Sequence, residues 1–228
     1  MADQIASNDT APRGVVIAVD GPAASGKGTI ARALAAHFHL PHMDTGLLYR
    51  AVALNLLQTG GDPESEFAAR RACDIAQIDL GDPELKSEAV GGVASRISTY
   101  ESVRAGLLER QQEFAQQRDG AVLDGRDVGT IIAPDATVKL FVTASPEVRA
   151  ERRARELTER GTPAHFEDVL ADIRARDERD SGRQFAPLAQ AEDAILLDTS
   201  KLNVEQSVAE AVRLVEERLA RSLAVQPN

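Results

Sequence analysis

The sequence predicts an α/β protein, a central parallel sheet covered on both faces by helices, and three features of the chain point there. Short apolar, β-branched runs recur at Val15-Val16-Ile17-Ala18-Val19, Ala121-Val122-Leu123-Asp124, Val138-Lys139-Leu140-Phe141-Val142 and Ala194-Ile195-Leu196-Leu197-Asp198. Runs without polar alternation suit strands buried on both faces. Longer stretches with apolar residues at helical spacing separate them, as crossovers between parallel strands require. The first run leads through a glycine-rich turn, Gly21-Pro22-Ala23-Ala24-Ser25-Gly26-Lys27-Gly28-Thr29, straight into a helical stretch.

Taken in order, residues 1–13 are polar and are expected to be a disordered lead-in, with one domain over 14–228. Lys27 to Phe38 reads as a helix, Leu40 to Asp44 as a short extended piece, and Leu47, Leu48, Val52, Leu54 and Leu56 as a second helix ending at Gly60-Gly61. Apolar residues then thin out, and Asp62-Pro63 and Gly81-Asp82-Pro83 punctuate an insert of short helices at about 60–101. A helix over Ser102 to Gln117 returns the chain to the core. Ser145-Pro146 is a hydroxyl N-cap followed by proline at the first helical position, and Gly161 fits that helix's end. Another helix is expected over Ala164 to Ser181. Asn203 with Gln206 resembles a capping box for the last helix, whose apolar stripe is Val204, Val208, Val212, Val215 and Leu219.

The glycine-rich turn has the spacing G-x-x-x-x-G-K, which cradles phosphates. Gly21 and Gly26 admit backbone conformations closed to other residues, the helix N-terminus adds a positive dipole, and Lys27 reaches outer phosphates. All nine residues from Gly21 to Thr29 are the expected triphosphate-binding set. Gly28 follows the lysine, so the hydroxyl that holds Mg²⁺ in such loops arrives one place later, at Thr29. This G-K-G-T form resembles nucleoside monophosphate kinases.

Composition narrows the partners. A net charge of −10 argues against general nucleic-acid binding, which needs a basic surface. Cys73 is the single cysteine, so neither an internal disulfide nor a multi-cysteine metal site is available. Met1 to Arg13 lacks the apolar core of a signal peptide, and no apolar run approaches membrane-spanning length. The expectation is a cytoplasmic monomer without membrane or nucleic-acid partners.

Three charged motifs fall where a parallel sheet places its ligand, beyond the strands' C-terminal ends. They are Asp44-Thr45-Gly46-Leu47-Leu48-Tyr49-Arg50, Asp124-Gly125-Arg126-Asp127-Val128-Gly129-Thr130, and Arg176-Asp177-Glu178-Arg179-Asp180-Ser181-Gly182-Arg183. On a continuous helix Arg176, Asp180 and Arg183 share one face. Phosphoryl transfer also requires water to be excluded, so a lid is expected over 150–166. Its candidates are Arg149, Arg152, Arg153, Arg155 and Arg160, with Arg152 and Arg153 expected at the donor phosphates.

Together with the Val103-Arg104 helix and Ala186-Pro187-Leu188, these motifs closely resemble bacterial cytidylate kinases from Val15 to about Leu219. The resemblance implies a three-layer P-loop kinase fold with a small acceptor-binding insert and a short lid, and transfer from Mg-ATP to CMP or dCMP. It further implies that Ser95, Arg104 and Asp127 read the cytosine edge with Thr45 nearby. Arg176 and Asp180 would contact the sugar, Arg50, Arg126 and Arg183 would hold phosphate, and Tyr49 would wall the pocket. Lys27, Arg126 and Arg183 would carry the catalysis. Two departures stand out: Thr45 replaces a common serine, and Gln77 to Ser87 is too short for the small antiparallel sheet that the family commonly carries.

His37, His39 and His42 crowd together, but helix exit and strand entry explain them better than a metal does. Asp124 and Asp198 both end apolar strands as a metal-water-holding acid would. Another small P-loop kinase, acting on AMP, shikimate or dephospho-coenzyme A, is the alternative of the same class. A GTPase switch is the alternative of another class, disfavoured because no asparagine precedes any of the four lysines.

Overall fold

The computed structural model describes residues 14–162 and 164–224; the lead-in expected over 1–13 lies outside the described residues. Five parallel strands form one sheet: β1 (Val16–Asp20), β2 (His42–Asp44), β3 (Ala121–Gly125), β4 (Val138–Thr143) and β5 (Ile195–Asp198), in the order β2-β3-β1-β4-β5. β1 is central. It pairs with β3 from Val16↔Ala121 to Asp20↔Gly125 and with β4 from Ile17↔Val138 to Asp20↔Phe141. Ile17, Ala18 and Val19 are completely buried, which is why this run carries no polar alternation.

Helices cover both faces. On one, α1 (Lys27–Phe38) and α8 (Val204–Ala224) bury Ile30, Leu34, Ala211 and Val215 against Ile17, Val19, Val122 and Leu140. On the other, α5 (Glu101–Ala115) and a π-helical turn at Val128–Ile132 pack Ala115, Val128 and Ile132 on Ala18 and Leu123. The capping box of α8 forms: Gln206 N–H donates to Asn203 Oδ1 at 2.8 Å, and Asn203 N–H donates to Gln206 Oε1 at 3.0 Å. Val204 departs from the expected stripe. It is 66% exposed.

The stretch after α2 (Thr45–Gln58) contains α3 (Glu66–Arg71), a 3-10 turn at Pro83–Lys86 and α4 (Glu88–Ile97), with no strand among its described residues. Leu85, Val90 and Ile97 bury their side chains against Val52, Leu54 and Leu56 of α2, giving this region an apolar core of its own. α6 (Pro146–Glu159) and α7 (Phe166–Gly182) form a hairpin held by Ala150, Leu157, Val169, Leu170 and Ile173. Ser145 Oγ accepts from Val148 N–H, so the predicted cap is in place. α7 stops at Gly182, and Arg183 is extended rather than helical, with φ −67° and ψ 143°. The continuous helical face expected for Arg176, Asp180 and Arg183 therefore ends one residue short.

Gly21 is the point at which the turn passes closest to the sheet. A Cβ there would lie 2.0 Å from the Val142 carbonyl oxygen, and φ is +153°. Since the obstacle is strand backbone and cannot swing aside, Gly21→Ala is expected to cost at least about 2 kcal/mol of stability, read from the urea midpoint of unfolding.

Candidate active site

Between the sheet's C-terminal edge, α2, α4 and the α6–α7 hairpin lies a cavity of about 510 Å³. One wall is the glycine-rich turn. Gly26 is left-handed at φ +89°, and Ala24 takes φ +58°, a conformation uncommon for a residue with a Cβ. Ala23, Ala24, Lys27 and Gly28 line the cavity. Lys27 Nζ donates to the Pro22 carbonyl at 3.4 Å, and burial, with Arg126 next in effect, pushes its ammonium down to about 7. Gly21, Pro22 and Ser25 are buried behind the turn, while Gly26 and Thr29 are exposed at its outer side.

The opposite walls gather side chains from elements far apart in sequence. Arg104 of α5 pairs with Asp127 through Nη2, donates to the Ser98 carbonyl at 3.2 Å through Nη1, and stacks 5.5 Å above the Tyr49 ring. Arg126 Nε donates to Asp180 Oδ2 at 2.8 Å, tying the exit of β3 to α7. Arg183 donates from Nε to the Ala186 carbonyl, and its Nη1 stands 3.9 Å from Asp180. Arg50 donates from Nη1 to the carbonyls of Leu85 and Ser87 at 2.7 and 3.3 Å. Its guanidinium occupies the space beside Gly91, where a Cβ would come within 2.9 Å. Thr45 spends its hydroxyl proton on the Asp124 carbonyl at 2.8 Å.

Three cavity-lining residues hold buried polar atoms that have no protein partner: Ser95 Oγ, Arg176 Nε and Arg183 Nη2. Unpaired buried donors are costly unless something polar binds there. Burial, with Arg126 next in effect, holds the Arg176 guanidinium down at about 10.

Two of the arginines expected on a lid, Arg149 and Arg152, do not line the cavity. Arg152 is absent from the cavity lining; it donates to Thr199 Oγ1 at 3.0 Å, to the Thr199 and Leu202 carbonyls at 2.7 and 3.3 Å, and to the Ser25 carbonyl of the phosphate turn at 3.5 Å. It thereby joins α6 to the loop after β5. Arg149, grouped by sequence with the lid arginines, is 3% exposed. It donates to the carbonyls of Ala144 at 2.9 Å and of Ala23 at 3.2 Å, and forms a two-pronged pair with Asp177 at 2.9 and 2.6 Å. Arg153 does line the cavity, paired with Glu88 across the cleft and with Glu156 on its own helix.

The geometry, a phosphate turn opposite a nest of paired arginines, agrees with the sequence comparison. A family profile described as cytidylate kinase matches residues 17–217. The chain belongs to the cytidylate kinase family. The cytidylate kinase of Xanthobacter autotrophicus strain Py2 is 57% identical over 209 residues, covering 90% of this chain and 99% of that protein. That of Caulobacter vibrioides strain NA1000 is 53% identical over 211 residues, covering 91% and 98%. The fold is shared more widely: a gluconokinase structure from Sinorhizobium meliloti 1021 superposes with a TM-score of 0.56 at 16% identity, over 95% of this chain and all of that one.

Within this member of the cytidylate kinase family, sequence reasoning passed over Asp20 and the burial of Arg149. Asp20, at the end of β1, is buried and accepts from the N–H groups of Val128 and Gly129. An acid closing an apolar strand just before a phosphate turn is the signal that was present for it. His42 pairs with Asp124 at 2.8 Å, and no group of three or more metal-ligating side chains occurs among the described residues. Asp198 is exposed and bonded to Ser200, whereas Asp124 lies beside Gly28.

Burial pushes the Asp20 carboxyl up to about 6 against the two N–H groups that favour its charge. A carboxyl raised in the folded state adds stability below its ordinary value of 3.8 and loses it as pH rises through about 6. Urea unfolding of the protein and of Asp20→Asn at several pH values checks this. Their difference is expected to change by roughly 2 kcal/mol between pH 4 and pH 7, and a flat difference would rule the titration out.

Proposed function

We propose that the protein transfers the γ-phosphoryl group of ATP to CMP and dCMP. The observation that carries this reading is that Lys27 of the phosphate turn and the Arg104–Asp127 pair open on the same cavity. Family membership supports the reaction class, and the side chains supply the chemistry. In the proposed complex the ATP phosphates lie along Ala23 to Thr29, with Lys27 and the N-terminus of α1 facing them. Mg²⁺, which characteristically keeps several waters and binds through phosphates with few protein ligands, fits a site whose protein contribution is the exposed Thr29 hydroxyl. When bound it neutralises charge on the β- and γ-oxygens.

The cytosine edge suits the other end of the cavity. An N4 amino group donates where Asp127 accepts, and N3 and O2 accept where Arg104 donates. The ion pair already orients both groups, and the unpartnered Ser95 hydroxyl adds a third contact. Uracil meets this pair with the wrong donor pattern, and a site built for polar pairing penalises the analogue that leaves it unpaired. Arg176 and Asp180 are assigned to the sugar. Arg50, Arg126 and Arg183 are assigned to phosphate, with Arg126 and Arg183 nearest the transferring group. Guanidiniums placed on the equatorial oxygens of a phosphoryl transfer are worth about 10³ to 10⁵ in rate, roughly 4 to 7 kcal/mol. Arg153, held by Glu88 and Glu156, is the lid residue assigned to the donor side, and Arg152 is not included.

The deciding experiment is an ADP-release assay across CMP, dCMP, UMP, AMP and GMP. Strong activity on AMP with none on CMP would sink the assignment. Lys27→Ala and Arg126→Ala are expected to lower kcat by at least about 10³ while circular dichroism stays unchanged. Asp127→Ala is expected to bring the CMP and UMP specificity constants within about tenfold of each other; unchanged base preference would refute its role.

Lys27 gives a test that needs no turnover. Its ammonium, depressed to about 7 in the free protein, regains its proton beside phosphate oxygens, so ATP binding is expected to take up a proton at pH 8 and to weaken as pH rises above 7. Calorimetry in buffers of different ionisation enthalpy measures that uptake directly.

A further inference from the structure

The reaction just described assigns Asp20 no part, yet its surroundings are unusually determined. It ends β1 and precedes Gly21, the first residue of the phosphate turn. Its side chain is 5% exposed; Oδ1 accepts from Val128 N–H at 2.8 Å and Oδ2 from Gly129 N–H at 2.7 Å. Those are the first two N–H groups of the π-helical turn. The turn's own bonds begin later, with Ile131 and Ile132 donating to the Asp127 carbonyl at 2.9 and 3.2 Å. Asp20 therefore satisfies two donors that the turn itself leaves open.

Gly129 makes the approach possible. A Cβ there would lie 3.3 Å from Asp20 Oδ2 and 3.1 Å from Cδ of Lys139. The Lys139 ammonium is directed elsewhere, to Asp193 at 2.8 Å, so on the β4 side Asp20 faces an aliphatic stem. On the β3 side it faces Arg126 and Asp127. Gly125, just before those two, is in register with Asp20 on β1. Arg126 and Asp127 are thus suspended between Gly125, fixed to β1 by the sheet, and Val128, fixed to β1 by one carboxylate.

We propose that Asp20 is a positioning residue for phosphoryl transfer: continuous in the chain with the donor turn, it holds Arg126 and Asp127 at a set distance from it and so keeps the two nucleotide subsites in register. This rests on the reading of donor and acceptor subsites given above. Asp20 touches neither nucleotide. Its effect falls on the acceptor side, because β1 and the sheet hold the phosphate turn without it.

Asp20→Asn tests the idea. The carboxamide keeps the shape but sets an NH₂ group against one of the two peptide N–H groups, so that end of the turn is released. Affinities for CMP and for the unreactive ATP analogue AMP-PNP are measured by calorimetry, beside kcat and amide hydrogen exchange at Val128 and Gly129. The expected result is CMP binding at least tenfold weaker, AMP-PNP binding within twofold of the parent, a narrowed CMP-to-UMP preference, and faster exchange at both amides. A merely structural role lowers the active fraction and kcat but leaves both affinities alone, and that result overturns the proposal, as does equal weakening of both ligands.

Should Asp20→Asn not fold, Gly129→Ala applies the same displacement from the other side, and the same split between the two ligands is required of it. The parent protein is titrated with all five monophosphates first. If it prefers a monophosphate other than CMP, the acceptor assignment fails in the parent, and the variant-to-parent ratios with the preferred one still decide the role of Asp20.

Discussion

Four arginines in and beside the cleft are each held by a carboxylate from another part of the chain. Asp127, from the β3 exit, holds Arg104 of α5; Asp180 of α7 holds Arg126; Asp177 of α7 holds Arg149 of α6; Glu88 of α4 meets Arg153. Guanidiniums cannot be crowded into a partly desolvated space without such partners, and removing one side of a buried pair commonly costs about 3 to 5 kcal/mol. Because the partners lie on different elements, the ion pairs also act as joints of the fold. The charges proposed to receive a phosphate and the contacts that place α4, α5 and α7 around the sheet are one set of interactions.

This arrangement reconciles an acidic protein with an anionic ligand. The whole chain carries −10, yet the described residues lining the cavity include Lys27 and seven arginines against seven carboxylates. The cleft is therefore locally close to neutral before any ligand arrives, and several of its donors remain unpaired: Arg176 Nε, Arg183 Nη2 and Ser95 Oγ. On the proposed reading, phosphate oxygens would meet prepaid positive charge in a low-dielectric setting, where it acts more strongly than in water. Arg149 extends the same logic to the donor side, since one guanidinium touches the Ala23 carbonyl of the phosphate turn and the Asp177 carboxylate of α7.

The secondary structure was largely legible because its causes are local. The apolar β-branched runs, the Ser145-Pro146 start, the Asn203–Gln206 box and the glycines of the phosphate turn each act within a few residues, and the observed elements fall on them. Errors cluster where a side chain's surroundings are made by distant segments. Arg149 and Arg152 share a basic helix with Arg153 and look alike in sequence, but Arg149 is buried under the turn, Arg152 caps the loop after β5, and Arg153 reaches the cleft. Helical spacing suggested a common face for Arg176, Asp180 and Arg183; α7 ends at Gly182, and all three still line the cavity.

Taken alone, the sequence determined the parallel α/β architecture, the phosphate turn and the charged motifs at the strand ends, since periodicity, glycine and capping chemistry act over short distances along the chain. Only the tertiary structure decided which arginine meets which carboxylate, that Ser95 on α4 faces the same cavity as Lys27, and that Asp20 grips the turn after Asp127. Those partnerships join residues as much as 109 positions apart, through the order in which strands stack in the sheet. No local pattern encodes that order; burial of β1 between β3 and β4 does.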